Sequence, residues 1–381
     1  MPKTPLHASQ IVVILKTGLL CGALCWAPSL AAQPSTSAAG LAYIGTLDKK
    51  LLVYDENKEE VVGEIPLQGI ARQTVLSADQ SKLVILTSQM AVETVDLKAR
   101  KMINHFDLAD EKSRPRMSRG GGGLALDPTG RYLYATMRAS VRETDYYRID
   151  PPQFVKIDLQ SGKIVQSFSF PVDMEQGFGA GTTYKVSPDG KSLYVFDEDV
   201  LIYDLATFKQ VDRIEMSQPE YPGASPYRLT PADDPNAQNN VYTSLFTTVD
   251  PIVHKGTLGL ATLDLNTRKS SFTPIGRALP SLGFLISPDH KRGYSIMFNG
   301  VGGNRETEFW VWDLVNRKVI NKAPFEARPT LRFALSGDGK KIYLYGAGSS
   351  FEVFDGETLK SRKLIFLNKD TTTNLVTLAA K

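Results

Sequence analysis

Seven times along the chain a short apolar run stops at an aspartate, passes through a polar turn and resumes as a second apolar run. The copies are Val53-Tyr54-Asp55, Thr94-Val95-Asp96, Lys156-Ile157-Asp158, Ile202-Tyr203-Asp204, Thr262-Leu263-Asp264, Val311-Trp312-Asp313 and Val353-Phe354-Asp355, spaced 41 to 62 residues apart. A strand-like repeat of that period is the signature of a β-propeller, in which each repeat supplies one four-stranded blade. The expected fold is all-β, a seven-bladed β-propeller. A length of 381 residues would by itself suggest two or three domains. A propeller closes into one domain whatever its blade number, so residues 41–381 are expected to form a single ring.

Each repeat reads as an apolar run, a turn, a second strand, the Asp-ended strand and an outer strand. The first turn recurs as Ser77-Ala78-Asp79, Asp127-Pro128-Thr129-Gly130, Ser187-Pro188-Asp189-Gly190, Ser287-Pro288-Asp289 and Ser336-Gly337-Asp338-Gly339. Proline presets φ for a type I turn, while aspartate and glycine supply the local hydrogen bond and the left-handed residue. The fifth repeat replaces this turn with a longer polar loop, Pro231 to Asn240. The first repeat, Leu41 to Ile65, offers three strands and no inner one. The stretch Thr372 to Ala379 reads as a strand left over at the other end. Placing it inside the first blade closes the ring and removes an exposed sheet edge. The seven aspartates read as turn residues whose carboxylates accept backbone N–H groups, and not as catalysts.

Residues 1–32 read as a signal peptide: Lys3 and Lys16, an apolar core from Thr17 to Trp26, and small residues Ser29 and Ala31 before cleavage. The apolar run is too short to span a bilayer. Cys21 and Cys25 lack the preceding small residue that lipidation wants, so no membrane anchor is expected. Residues 33–40 read as a flexible lead-in. The chain is therefore expected to be exported. Both cysteines lie in the segment to be removed, which leaves the mature chain without disulfide, thiolate ligand or Cys-x-x-Cys-His haem attachment. Removing two lysines takes the formal charge from +3 to nearly neutral, which gives no electrostatic reason to expect nucleic acid.

Loop length then divides the two faces of the ring. First-to-second and third-to-fourth strand connections share one face and are tight. Second-to-third loops and blade-to-blade connections share the other, which takes the insertions at 107–120, 138–153, 215–224, 247–257 and 299–308. Long loops on a rigid scaffold are where binding concentrates. The candidate partner or substrate-channel residues are Arg142, Tyr146, Tyr147, Phe246 and His254, with Arg114, Arg116 and Arg119 nearby, because arginine and aromatic residues dominate binding hot spots. The mature histidines, His105, His254 and His290, have no ligand spacing, so no metal site is expected. No Gly-x-Ser-x-Gly elbow is present, and Gly120 to Gly123 leads into a strand without a Lys-Ser/Thr partner, so it is not a phosphate loop. No catalytic residue is assigned.

The stretch Gly123 to Leu159, with its Asp-Pro-Thr-Gly-Arg turn, Val141-Arg142-Glu143-Thr144-Asp145-Tyr146-Tyr147 and Pro151-Pro152-Gln153 before Val155-Lys156-Ile157-Asp158, resembles the third repeat of the quinohemoprotein amine dehydrogenase β subunit. The methylamine dehydrogenase heavy chain has a similar insertion. The likeness continues more weakly through Tyr242 to Asp264 and Phe333 to Leu364. It implies a periplasmic, cofactor-free propeller subunit of an amine dehydrogenase. On that resemblance a small partner subunit carries a tryptophan-derived quinone, a cytochrome c subunit carries haem, and the propeller holds the small subunit and shapes substrate access. Two other readings stay open on the residues: a stand-alone periplasmic propeller that acts as a binding scaffold, and a metal-dependent propeller hydrolase, against which the scattered histidines speak.

Overall fold

The computed structural model describes residues 40–378, apart from 111, 118–122, 170–182, 217–224, 231–239, 251, 301–303, 305 and 329. The expected signal peptide and nearly all of the expected lead-in lie outside the described residues, as do most of the fifth-repeat loop and of 215–224. Seven antiparallel sheets follow one another. Counted from the inner strand outward, blade 2 is Ala71–Leu76, Lys82–Thr87, Ala91–Asp96 and Lys101–Asp107. Blade 4 is Thr183–Val186, Ser192–Phe196, Val200–Asp204 and Gln210–Ile214. Blade 5 is Arg228–Leu229, Val241–Asp250, Lys255–Asp264 and Ser270–Arg277, and blade 6 is Ser281–Ile286, Arg292–Asn299, Glu306–Asp313 and Lys318–Phe325. Blade 7 is Arg332–Leu335, Lys341–Tyr345, Ser350–Asp355 and Ser361–Phe366. Blade 3 has Leu124–Leu126, Tyr132–Arg142, Gln153–Asp158 and Lys163–Ser169, with two further strands at Ser113–Met117 and Tyr147–Ile149.

Blade 1 consists of Leu41–Gly45, Lys50–Asp55 and Glu60–Pro66, and its inner strand is Val376–Thr377. The expected closure is therefore present, with Ala42 opposite Thr377 and Tyr43 opposite Val376. The regular pairing is shorter than the expected 372–379. Upstream, the tail is stitched by a bridge between Thr46 and Thr371, by Thr372 N–H to the Gly45 carbonyl (2.8 Å), and by Gly45 N–H to Thr373 Oγ1 (2.9 Å). The Thr373 hydroxyl there accepts a backbone N–H that a longer ladder would have paired with a carbonyl. Ala379 lies outside the described residues.

The ring is held by seven apolar clusters, each between two neighbouring blades, the last joining blade 7 to blade 1. This explains why the second and third strands are mostly apolar at successive positions. In Leu51-Leu52-Val53-Tyr54, Leu51 and Val53 pack towards blade 2, while Leu52 and Tyr54 pack towards blade 7. Side chains alternate across a strand, so a strand buried on both faces needs no polar positions. Tyrosines fasten neighbours through their polar ends: Tyr43 donates to the Leu97 carbonyl (3.2 Å) and Tyr194 to the Leu265 carbonyl (2.5 Å). Phe246 belongs to this core. It is 1 % exposed and meets the rings of Tyr227 and Phe272 edge-on.

All seven terminal aspartates cap the turn that follows. Asp264 Oδ1 accepts from Asn266 N–H (2.8 Å) and Thr267 N–H (2.7 Å), Asp313 from Val315 and Asn316, and Asp355 from Glu357 and Thr358. Asp55, Asp96, Asp158 and Asp204 do the same. These donors, first of all Thr267, Asn316 and Thr358, hold the carboxyls of Asp264, Asp313 and Asp355 below their ordinary range. The residue that ends each turn is left-handed, with φ between +52° and +68°, at Glu59, Arg100, Gly162, Phe208, Arg268, Arg317 and Leu359. Only one of these is glycine, so the capped turn imposes the conformation that glycine would otherwise have offered freely.

The closing seam carries a buried acid. Glu56 is 4 % exposed; its Oε2 accepts from Gly337 N–H (2.9 Å), and Lys341 Nζ donates to its main-chain carbonyl. Burial pushes the carboxyl up to about 7, with Gly337 N–H pulling in the opposite direction. The charged groups around it are Asp338 and Lys341, with Tyr343 beside it. Because the folded value lies above the unfolded one, the native state binds the extra proton. Stability is then fullest below about pH 4.5 and falls as the pH rises towards 7.

Two outcomes are expected. Glu56→Gln should raise the thermal midpoint at pH 8 and leave it nearly unchanged at pH 5, a differential of roughly 2–3 kcal/mol at most; equal effects at both pH values in calorimetry would contradict this. Leu375→Ala, which empties a 4 % exposed site in the closing segment, should cost about 3 kcal/mol. An unchanged denaturation midpoint would mean that the tail does not hold the ring.

Candidate functional site

Tight turns occupy one face, as expected. Their serines donate to the aspartate two residues on, as in Ser77–Asp79 (2.6 Å) and Ser336–Asp338 (2.6 Å). The opposite face differs from expectation in kind. Its insertions are largely not loops but strands that continue beyond the blades.

In blade 3, Tyr132–Arg142 pairs with the third strand only as far as Met137. Beyond that, Ser113–Met117 runs along one side and Tyr147–Ile149 along the other. Ser113–Met117 from the first insertion and the described strands of 138–153 thus combine into one three-stranded ribbon. Val141, Tyr147 and Ile149 supply β-favouring side chains, and Pro115 sits on an edge strand, where its missing N–H costs little. Asp110 fixes the start of the ribbon by accepting from Lys112 N–H (2.8 Å) and Ser113 N–H (2.6 Å). Its tip is closed by Glu143 N–H to the Tyr146 carbonyl (2.9 Å), and Arg148 is tied to both Glu143 and Asp150. Arg142 lies opposite Tyr147, and Ser140 opposite Ile149, so these side chains share one face of the ribbon.

In blade 5, Val241–Asp250 and Lys255–Asp264 pair at every position out to Asp250 and Lys255. Asp250 Oδ1 caps the tip through Ile252 N–H (2.8 Å) and Val253 N–H (3.2 Å), and His254 takes φ +50°. Ser225 laces the preceding connection onto this hairpin by accepting from Val249 N–H (2.6 Å). In blade 6 the pairing extends to Asn299 and Glu306, leaving only 300–305 as connection.

Of the five candidate residues, Tyr146 and Tyr147 are each 59 % exposed at the blade 3 tip, Arg142 lies beside them, and His254 is exposed at the blade 5 tip. Phe246 is a correction. It pairs with Gly259, where a Cβ would stand 2.4 Å from its ring, so it is interior packing and cannot meet a partner. The residues missed from sequence are Ile149, Ile252 and Val253, 64 %, 80 % and 55 % exposed. An apolar pair straight after Asp-Pro in a turn was the available signal. Among the described residues, the exposed large apolar side chains at turn tips are Leu47, Tyr146, Tyr147, Ile252 and Val253 on the ribbon face, against Val315 on the tight-turn face.

The remaining ionisable clusters read as structural. Glu93, fully buried, accepts from Gln68 and Gly69 N–H and lies 3.5 Å from His105 Nδ1, which pins the connection between blades 1 and 2. Asp199 accepts from Met216 N–H (2.6 Å) and pairs with Arg213. His290 sits in a tight turn at the edge of a cavity of about 180 Å³ between blades 5 and 6, whose Arg317 already donates to Ser271 and Thr273. His105, His254 and His290 occupy three different blades, and among the described residues no three metal-ligating side chains come together. No described helix is long and apolar enough to cross a membrane.

No protein-family model matches the sequence, and neither does any curated protein. The fold is similar to that of solved propellers. Dihydro-heme d1 dehydrogenase NirN, in complex with DHE, matches with a TM-score of 0.51 and 15 % identity over 90 % of this chain and 77 % of that one. A functionally unknown protein from Desulfotomaculum acetoxidans matches with a TM-score of 0.56 and 9 % identity over 90 % of this chain and all of that one. The first is a different dehydrogenase and the second has no known function, so neither points to an amine dehydrogenase. At these identities the likeness establishes a β-propeller scaffold.

Proposed function

We propose that this chain is a cofactor-free propeller that binds a protein partner on its ribbon face, and that it serves as the non-redox subunit of a periplasmic quinohemoprotein-type amine dehydrogenase. The carrying observation is the display of Tyr146, Tyr147, Ile252 and Val253 on the ribbon face, at the tips of strands braced by backbone pairing. A solvent-exposed aromatic and aliphatic set on pre-ordered strands loses little conformational freedom on docking. Arg142 beside Tyr147 adds a guanidinium suited to a partner carboxylate. The identity of the partner rests on the resemblance carried by Gly123 to Leu159. On that reading the partners are the small quinone-bearing subunit and a cytochrome c subunit, and amine oxidation proceeds on those chains while the propeller shapes access.

A second reading, a stand-alone periplasmic scaffold, is favoured by the Desulfotomaculum acetoxidans protein, whose whole length the propeller match spans. The two readings separate by isolating the native protein and taking its visible spectrum. The first expects a co-purifying quinone or haem chromophore on other chains, and none on this chain expressed alone. The combined change Arg142→Ala, Tyr146→Ala, Tyr147→Ala should release the partner, each true anchor being worth about 2 kcal/mol or more. Lys163→Ala and Lys191→Ala on the tight-turn face should leave the complex intact. Retention by the triple variant together with release by the controls would overturn the assignment of faces.

A further inference from the structure

The inner strands of the seven blades form the wall of the central channel, and their charge has one sign. Over their described residues they carry Arg72, Lys185, Arg228 and Arg332 and no aspartate or glutamate. The whole chain has 44 basic and 41 acidic residues, so a wall of four cations without a counter-charge departs from the overall balance.

The arginines stand at one height. Arg332 lies opposite Tyr345, the fifth residue of its second strand. Arg72 is the unpaired residue of a bulge between the Ala71–Thr87 and Gln73–Leu86 pairs, level with the end of its second strand. Arg228 lies opposite Thr247, the seventh residue of its second strand. Blades share their strand layout, so the three fall within about 7 Å of one another along the channel axis, at its ribbon-face end. Lys185, opposite Tyr194, lies roughly two residues deeper than Arg332. The three arginines come from blades 2, 5 and 7 and therefore approach the axis from three sides. A bulge is a recurrent device for re-aiming a side chain beside a functional site.

All three arginines are exposed, and none makes an ion pair or side-chain hydrogen bond among the described residues. Elsewhere the fold pairs its arginines freely, as in Arg131–Asp158, Arg268–Asp212 and Arg328–Glu352. Three exposed guanidiniums set around one opening each offer a planar donor fork. The ligand chemistry that satisfies them is two or more anionic oxygens, each able to accept paired N–H bonds. We propose that the ribbon-face mouth of the channel binds a small multivalent oxyanion, a polycarboxylate or a phosphate, gripped by Arg72, Arg228 and Arg332 with Lys185 beneath. The site does not depend on the amine dehydrogenase reading.

The test is isothermal titration of the mature chain at fixed ionic strength with citrate, with inorganic phosphate and with chloride. One saturable site for citrate or phosphate is expected, and none for chloride. The tighter of the two identifies the carboxylate or the phosphate class. Arg72→Ala, Arg228→Ala and Arg332→Ala should each weaken binding about tenfold, the value of a lost charge-assisted pair. Lys191→Ala should bind as the parent does. Arg332→Lys keeps the charge without the fork and should fall between parent and alanine; it also serves if an alanine variant fails to fold. No binding beyond that of chloride, or equal binding by folded arginine variants, would overturn the proposal.

Discussion

The rest of the structure depends on one short antiparallel pairing between chain ends, Ala42 with Thr377 and Tyr43 with Val376. The second and third strands are mostly apolar on both faces, so every blade needs a neighbour on each side. A linear stack of seven would leave two such faces in water. Closure gives the blade 7 cluster of Tyr343, Phe351 and Val353 its partners Ala42, Ile44 and Tyr54. The seam is tight: a Cβ on Gly337 would stand 1.9 Å from the Leu378 carbonyl oxygen. It is reinforced by Lys341–Glu59 and Lys369–Asp48, although such partly exposed pairs contribute little beside the apolar contacts.

A closed ring makes the two faces unequal platforms. On one, the turns are short and their aspartates are satisfied by local N–H and hydroxyl groups. On the other, blades 3, 5 and 6 continue their strands outward, so the extra residues keep a paired backbone and need no contact with the ring to stay ordered. Side chains at the tips, Tyr146, Tyr147, Ile252 and Val253, are left mostly exposed. A rigid base with an apolar rim is a common arrangement of binding surfaces.

The sequence made the repeat, the blade number and the closing strand legible because each rests on local chemistry: an aspartate before a turn, an alternation, a leftover strand. The strand extensions were not legible. Thr247-Thr248-Val249-Asp250 reads as polar connection, and only its register against Gly256 and Thr257 shows that it is sheet. The same miscount made Phe246 look like the root of a loop, although it lies one blade width deep beside Gly259. Left-handed turn residues such as Phe208 and Leu359 were equally hidden, since the capping aspartate rather than glycine fixes the backbone there.

The central claim is that a protein partner occupies the ribbon face. Lysine cross-linking of the native complex, read by mass spectrometry, tests it most directly. Lys112 and Lys255 are exposed on the ribbons, while Lys191 and Lys340 project from the tight turns with 80 % of their side chains exposed. The account predicts partner cross-links at Lys112 and Lys255 and none at Lys191 and Lys340; the reverse pattern would contradict it.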